Sequence, residues 1–357
     1  MQDALLLWFA GAARSLPFRE TKDAYAIWVS EIMLQQTTVA AVTPYWDRFL
    51  KRFPTVTDLA HAPLDDVLHA WAGLGYYSRA RNLHAAARAV VQRHGGRFPE
   101  RYEDALALPG VGRYTAGAVC SFAYNQNVAA VDANAARVLS RLFAIGGDPR
   151  SPAASRALWN AAERILPAGR SRSWNLALFD LGAAICTPRA PRCLACPVSR
   201  WCEAFQQGRP EDFPQTPERP PMTARVDVAA VIRDAGGRVA LAQRPAAGVW
   251  AGMWETPRGP LEPGEGEAEG LRRILRETHG VEIQVGALLA VVRHTVMRQS
   301  ITLRAYEAQT VGAPPAQWIW AGEAEAGSVA LPSPQRRLLQ RLLAGRNAGA
   351  AGDPTAT

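Results

Sequence analysis

Leu108-Pro109-Gly110-Val111-Gly112-Arg113-Tyr114-Thr115 separates two segments of helical periodicity, 101–108 before it and 114–123 after it. Pro109 ends the first segment, since its ring denies the backbone a hydrogen bond. Two glycines one residue apart then let the chain reverse tightly and be approached closely. Amides opening the next helix have no intrahelical partner and sit at the positive end of its dipole, so such a turn can take a phosphate. Tight helix–helix turns also use glycine without any ligand, and the stretch by itself leaves both readings open.

Outward from this turn, apolar residues recur at three- and four-residue spacing over 24–37, 63–72, 81–93 and 134–143, which predicts helices. Breakers at Pro54, Pro63, Gly73-Leu74-Gly75 and Gly95-Gly96 punctuate them. Residues 207–224 hold five prolines and little apolar content, the composition of an extended linker. Beyond it, Val226–Arg233 and Arg238–Arg244 read as short strands joined into a hairpin by Asp234-Ala235-Gly236-Gly237. A helix fits 267–279, and strands fit 283–293 and 299–310. The expected organisation is a helical domain over 1–206, a linker over 207–224, a small α+β domain over 225–345 and a disordered tail over 346–357. No internal repeat is present.

No run approaches 18 apolar residues, so a membrane-spanning helix is not expected. The first apolar run follows an acidic residue and lacks a basic flank, which argues against a signal peptide; the expected location is the cytoplasm. Net charge is +8, with 25 basic against 19 acidic residues in 1–222 and 15 against 13 in the remainder. Excess positive charge in one domain suits a polyanion. Of the 40 basic residues only Lys22 and Lys51 are lysines, which restricts amine chemistry.

Four of five cysteines fall in Cys186-x6-Cys193-x2-Cys196-x5-Cys202, with no histidine nearby. Such clustering points to a metal site of four thiolates, and spacing leaves zinc and an iron–sulfur cluster both open. Cys120, within Ala118–Phe122, reads as a buried core thiol. Two acids stand in apolar company. Glu31 lies in Ile27-Trp28-Val29-Ser30-Glu31-Ile32-Met33-Leu34, and Asp132 follows Val128–Val131. Desolvation raises a carboxyl pKa, as a general acid at neutral pH requires, while a better-solvated partner stays ionised and stabilises positive charge. A solvated helix face for Glu31 and a helix N-cap for Asp132 are the structural alternatives.

Together these features resemble the adenine DNA glycosylase (MutY) family of the endonuclease III superfamily. The resemblance is carried by Trp28–Thr37, by Gly73-Leu74-Gly75-Tyr76-Tyr77-Ser78-Arg79-Ala80-Arg81-Asn82-Leu83, by the 108–115 turn, by Val131-Asp132-Ala133-Asn134 and by the cysteine loop. It covers residues 1–205 nearly continuously and the remainder more loosely. It implies a mostly α helix-hairpin-helix glycosylase domain with a [4Fe–4S] cluster on Cys186, Cys193, Cys196 and Cys202, plus an α+β Nudix-like domain. The implied partner is double-stranded DNA containing an adenine mispair, bound by a monomer. The implied mechanism extrudes the target adenosine, with Gln36 filling the vacated stack and Tyr76 intercalating near the opposite base. Glu31 then protonates adenine N7, Asp132 stabilises or transiently bonds the oxocarbenium at C1′, and Tyr114 and Asn134 support that charge distribution. Arg19, Arg81, Gly110, Gly112 and Thr115 are the further DNA or base contacts it implies. Bifunctional relatives carry a Schiff-base lysine where Tyr114 stands, so a monofunctional glycosylase is expected.

Residues 259–281 fit a Nudix box in spacing, Gly259-x5-Glu265-x7-Arg273 followed by Ile274-Leu275-Arg276-Glu277-Thr278-His279-Gly280-Val281. Ile274 and Thr278 occupy two glutamate places of the box, leaving Glu277 as a poor magnesium site. A Nudix-like fold without hydrolase chemistry is expected, inspecting the base opposite adenine as in the family. Two departures bear on specificity. The family's Phe-Ser-His triplet, which contacts 8-oxoguanine, reads here as Val296-Met297-Arg298, with Arg298 still able to donate to a guanine edge; a Glu or Gln that contacts adenine reads as Leu176. The competing expectations are a glycosylase of shifted opposite-base or target preference, a nucleotide pyrophosphatase, and a silent iron–sulfur DNA-binding module.

Overall fold

A computed structural model describes residues 1–215, 217, 220–246 and 248–347. The chain forms two compact units, one of residues 1–62 with 81–219 and one of residues 63–80 with 220–357. Among the described residues no helix is long and apolar enough to cross a membrane.

The first unit is helical, and its helices include α1 (Gln2–Ala12), α2 (Ala24–Leu34), α3 (Tyr102–Leu106), α4 (Arg113–Tyr124), α5 (Ala133–Leu142), α6 (Pro152–Arg164) and α7 (Ser171–Ala184). α2 is buried along Ala24–Met33 and packs against α4. It has no solvent face, which is why its apolar residues run consecutively rather than as a stripe. Asp23 caps it by accepting from the Tyr25 and Ala26 amides. α4 and α7 are nearly as enclosed, with buried runs Thr115–Phe122 and Trp174–Gly182.

The stretch before α5 is stitched in place by Asn175, 1% exposed. Its carboxamide accepts from the Ala130 amide at 3.2 Å and donates to Val128 O and Ser121 Oγ, both at 3.0 Å. Gly117 of α4 faces Ala129 so closely that a Cβ would lie 2.2 Å from its carbonyl oxygen. This contact fixes the path leading into Asp132. The beginning of the expected linker lies on the first unit, with Phe213 O accepting from Arg141 Nε at 2.9 Å and Gln215 Oε1 from the Gly147 amide at 3.2 Å.

In the second unit, β4 (Arg258–Pro260), β1 (Thr223–Ile232), β6 (Gln299–Thr310) and β5 (Ile283–Val296) form one sheet in that order. β3 (Trp254–Glu255), β2 (Val239–Gln243) and β7 (Ile319–Ala321) form another. β1 runs parallel to β6, Thr223 opposite Gln299 through Ile232 opposite Ala308. Along β1, Val228, Ala230 and Ile232 enter a core with Leu271, Ile274 and Leu275 of α8 (Glu267–His279). Ala229 and Val231 enter another with Leu338, Leu339 and Leu342 of α9 (Ser333–Asn347). Burial on both faces explains the unbroken apolar run.

The expected β1–β2 hairpin is corrected. The turn exists, with Gly237 N donating to Asp234 O at 2.9 Å, but a single bridge, Arg233 to Val239, joins the strands. A strand has two hydrogen-bonding edges, and those of β1 are taken by β4 and β6. Residues 63–80 belong to the second unit through contacts such as Tyr77 Oη to Leu331 O at 3.5 Å. α9 extends through Asn347, and of the expected tail residues 348–357 lie outside the described residues.

Candidate active site

Glu31 sits near the end of α2, where the helix is enclosed on every side, and is 6% exposed. The solvated-face alternative is therefore wrong. Tyr114, in the first turn of α4, donates its hydroxyl hydrogen to Glu31 Oε2. Asp132 caps α5 by accepting from the Ala135 amide at 2.6 Å, and its other oxygen accepts from Asn134 Nδ2 at 3.1 Å. The N-cap alternative for Asp132 thus holds, and it leaves the carboxylate facing the same cavity as Glu31. That cavity, about 560 Å³, is lined by Glu31, Tyr114, Asp132 and Asn134 together with Arg14, Arg19, Gln36, Leu176 and Phe179.

Burial pushes the Glu31 carboxyl up to about 7; the Tyr114 hydrogen bond opposes this, the Asp132 charge adds to it, and Arg19 opposes it. A group near 7 is half protonated at neutral pH, as a general acid should be. Asp132 is also raised by burial, against hydrogen bonds from Ala135 and Asn134 and the charge of Arg137. Those interactions favour the charged form. Two carboxyls on one cavity therefore differ in surroundings, one beside a phenol and one capping a helix. Asn134 is itself set by Arg137, whose Nη2 donates to its Oδ1 at 2.9 Å.

The expected DNA contacts separate by environment. Gln36 is exposed, with a left-handed φ of 57°. Gly110 has φ 70°, and a Cβ there would meet the Asn82 side chain at 2.5 Å; Gly112 has φ −88° and open space where a Cβ would be. Left-handed backbone therefore demands the first glycine only. α4 has no side-chain cap. Thr115 requires a correction as a DNA contact, because its side chain is 2% exposed and meets Gln35 Nε2 at 3.5 Å. At helical spacing it shares the inward face with Val119 and Phe122. Arg81 is half-buried, and burial lowers its pKa. Arg19 is tied to Asp180, its Nη1 2.8 Å from both carboxylate oxygens. In the second unit Tyr76 is 52% exposed at φ 48°, and Arg298 is exposed in the two-residue turn Met297-Arg298 between β5 and β6.

Sequence reasoning missed Arg14, Asp180 and Arg141. Asp180 carried the signal that exposed Glu31, a single acid in the apolar stretch Trp174–Ala184. Arg141, 2% exposed, donates to Thr187 O at 2.6 Å, Pro188 O at 2.9 Å and Cys186 Sγ at 3.3 Å.

The cysteine thiols stand within electrostatic reach of one another. Cys196 is pushed up to about 11, by burial first and also by the charges of Cys186, Cys202 and Cys193, while the Val198 amide opposes the shift. Amides of Phe205 and Ala204 likewise face Cys202. Among the described residues no group of three or more His, Cys, Asp or Glu is set to hold a single metal ion. Four thiols within electrostatic reach of one another, with backbone amides beside Cys196 and Cys202, are the donor chemistry that an iron–sulfur cluster takes.

The family described as "HhH-GPD superfamily base excision DNA repair protein" matches residues 29–164, and a NUDIX domain matches 228–341. An adenine DNA glycosylase of Rattus norvegicus is 36% identical over 375 residues, 88% of this chain and 73% of that protein. The chain belongs to the adenine DNA glycosylase family. The enzyme of that name from Mus musculus is 39% identical over 312 residues, 73% of this chain but 61% of its own length. That from Mycolicibacterium smegmatis is 42% identical over 203 residues, 56% of this chain and 69% of its own. Among solved structures, a thermostable thymine-DNA glycosylase is 35% identical, with TM-score 0.53 over 57% of this chain and 94% of that one. Endonuclease III trapped covalently on DNA, 22% identical with TM-score 0.50 over 58% of this chain and 94% of that one, shares the fold. The family's helix-hairpin-helix domain is thus the first unit's fold, and the Nudix-like domain is that of the second.

Several acids of the Nudix box are paired with arginines. Arg273 bonds Glu265 at 2.7 Å and Glu277 at 3.2 Å, and Arg304 pairs with Glu267 at 2.8 Å. Gly259 is packed against Ile274, where a Cβ would lie 2.9 Å from Cγ2. An apolar residue thus occupies, buried, a place where the box would set a metal-facing glutamate.

Proposed function

We propose that the protein excises adenine from mispairs with 8-oxoguanine or guanine in double-stranded DNA, as a monofunctional glycosylase of base excision repair. The observation that carries this reading is the juxtaposition of buried Glu31, its partner Tyr114 and the capped Asp132 on one cavity. An extruded adenine takes the Glu31 proton at N7, the bond from N9 to C1′ breaks with its electron pair leaving on the base, and Asp132 holds the cationic sugar for attack by water. Tyr114 keeps the Glu31 proton directed, and Asn134 holds the Asp132 carboxylate. Gln36 fills the vacated stack, Tyr76 intercalates near the opposite base, and the hairpin at Gly110 and Gly112, with Arg81, grips phosphates.

Cys186, Cys193, Cys196 and Cys202 would hold a [4Fe–4S] cluster, which when bound ties the 186–202 loop into one rigid piece. Arg141 supplies a donor to Cys186 and carries the loop's carbonyls. The second unit reads the opposite base, with Arg298 as its guanine-edge donor. The protein acts as a cytoplasmic monomer. The test is single-turnover cleavage of duplexes with adenine opposite 8-oxoguanine, guanine, cytosine and thymine. Preference for the first two is expected, and equal or absent cleavage across the set would overturn the assignment. A shifted preference is the second reading, supported by Leu176 on the cavity wall and Met297 in the recognition turn.

A further inference from the structure

The cavity that holds Glu31 and Asp132 has walls of different chemistry. α7 contributes Leu176 and Phe179, both 6% exposed and without polar side-chain atoms. Asp180, next to them on the helix and 1% exposed, is fully engaged. Arg14 donates to it from its backbone amide at 3.1 Å and from Nε at 2.6 Å, and Arg19 Nη1 sits 2.8 Å from each oxygen. α7 therefore offers a ligand no acceptor. The two guanidiniums line the cavity as well, and each spends one side-chain nitrogen on Asp180. A guanidinium carries only donors. Arg172 fixes the backbone around Arg19 by donating to the carbonyls of Arg19, at 2.6 Å, and Thr21, at 3.1 Å.

We infer that Arg14 and Arg19, positioned by Asp180 beside Leu176, make this cavity read hydrogen-bond acceptors on an extruded purine and leave its amino group unread, so that hypoxanthine is a substrate alongside adenine. This rests on the base-excision reading above and names the substrate class of the same site. The two bases share the acceptors N3 and N7, the latter being where Glu31 delivers its proton; they differ at C6, an amino donor in adenine and a carbonyl acceptor in hypoxanthine, and at N1, an acceptor in adenine and an N–H donor in hypoxanthine. In both, the N9–C1′ bond breaks, its electron pair stays on the base, and water adds to C1′ with loss of a proton. A site that hydrogen-bonds a substrate group rejects the analogue lacking it by about 10⁴-fold or more, whereas an apolar wall discriminates by about 10- to 200-fold. Leu176 puts the amino group in the second class, and the guanidiniums favour the carbonyl. Asp180 acts through the two arginines and is a positioning residue.

The test is single-turnover excision by the full chain from duplexes carrying adenine or hypoxanthine opposite 8-oxoguanine and opposite guanine. Hypoxanthine removal within about two-hundredfold of adenine is expected, the limit an apolar wall sets. Leu176→Glu, which adds an acceptor and, when ionised, no donor, should widen the preference for adenine by about tenfold or more. Asp180→Asn should slow hypoxanthine removal more than adenine removal, a change of ratio that partial unfolding, lowering both rates alike, would not produce. A preference for adenine larger than about two-hundredfold in the unsubstituted chain overturns the inference and leaves the base-excision reading standing. Excision of neither base overturns both.

Discussion

Glu31 shows how much one buried side chain decides. Its pKa near 7 is set first by burial, so the acid form, which the proposed mechanism uses, is lost as pH rises through about 7. The single-turnover rate is expected to fall over that range. Tyr114→Phe removes the hydrogen bond that opposes the shift, and should move the alkaline limb of the pH–rate profile upward. The same shift affects stability. Between about 4.5 and 7 the folded state holds a proton that the unfolded chain has released, so stability falls as pH rises through this window. Glu31→Gln should abolish excision and, in denaturant titrations at pH 8, stabilise the fold by up to about 3 kcal/mol relative to the parent. Asp132→Asn separates the two roles of that residue, since Asn caps a helix as well as Asp. Unfolding should change little while excision drops by about a hundredfold or more. The sequence made Glu31 legible because an acid inside an apolar run is costly unless used; it could not say that Tyr114, 83 residues away, would donate a hydrogen bond to it.

At the scale of elements, the 108–115 turn was readable because proline and glycine impose backbone geometry locally. What the turn does to its neighbours was not. Gly110→Ala would force a left-handed residue to carry a Cβ and drive it into Asn82. A loss of about 1–3 kcal/mol of stability is expected, with weakened duplex binding in a fluorescence titration. Gly182 of α7 is close to Asn134, where a Cβ would come within 2.7 Å of the Asn134 Cβ. Gly182→Ala should therefore shift α5 and lower excision even though residue 182 lines neither Glu31 nor the cavity. The β1–β2 turn teaches the reverse: Asp234 and Gly237 specify a reversal, but both edges of β1 are claimed by strands from elsewhere in the chain, which local chemistry does not register.

For the whole molecule, amine and metal chemistry are limited by what the chain lacks or has already paired. Neither Lys22 nor Lys51 lines the cavity with Glu31. Borohydride trapping of a covalent DNA complex should stay near background, and a high yield would show a lyase step. In the Nudix-like unit Glu265, Glu267 and Glu277 are tied to arginines and Ile274 replaces a further box glutamate, so nucleotides incubated with magnesium should release no phosphate or pyrophosphate above a blank.

The sequence by itself determined the two-part organisation, the helical and mixed classes of the parts and both acids of the cavity, because each is written in local backbone constraints, periodicity or the cost of a misplaced charge. Only the tertiary structure decided that residues 63–80 associate with the second unit, that Thr115 faces inward, and that Asp180 binds Arg14 and Arg19 beside Leu176. Those outcomes depend on which faces of distant elements meet, and a contact between residues more than 160 positions apart leaves no periodicity in the chain to read.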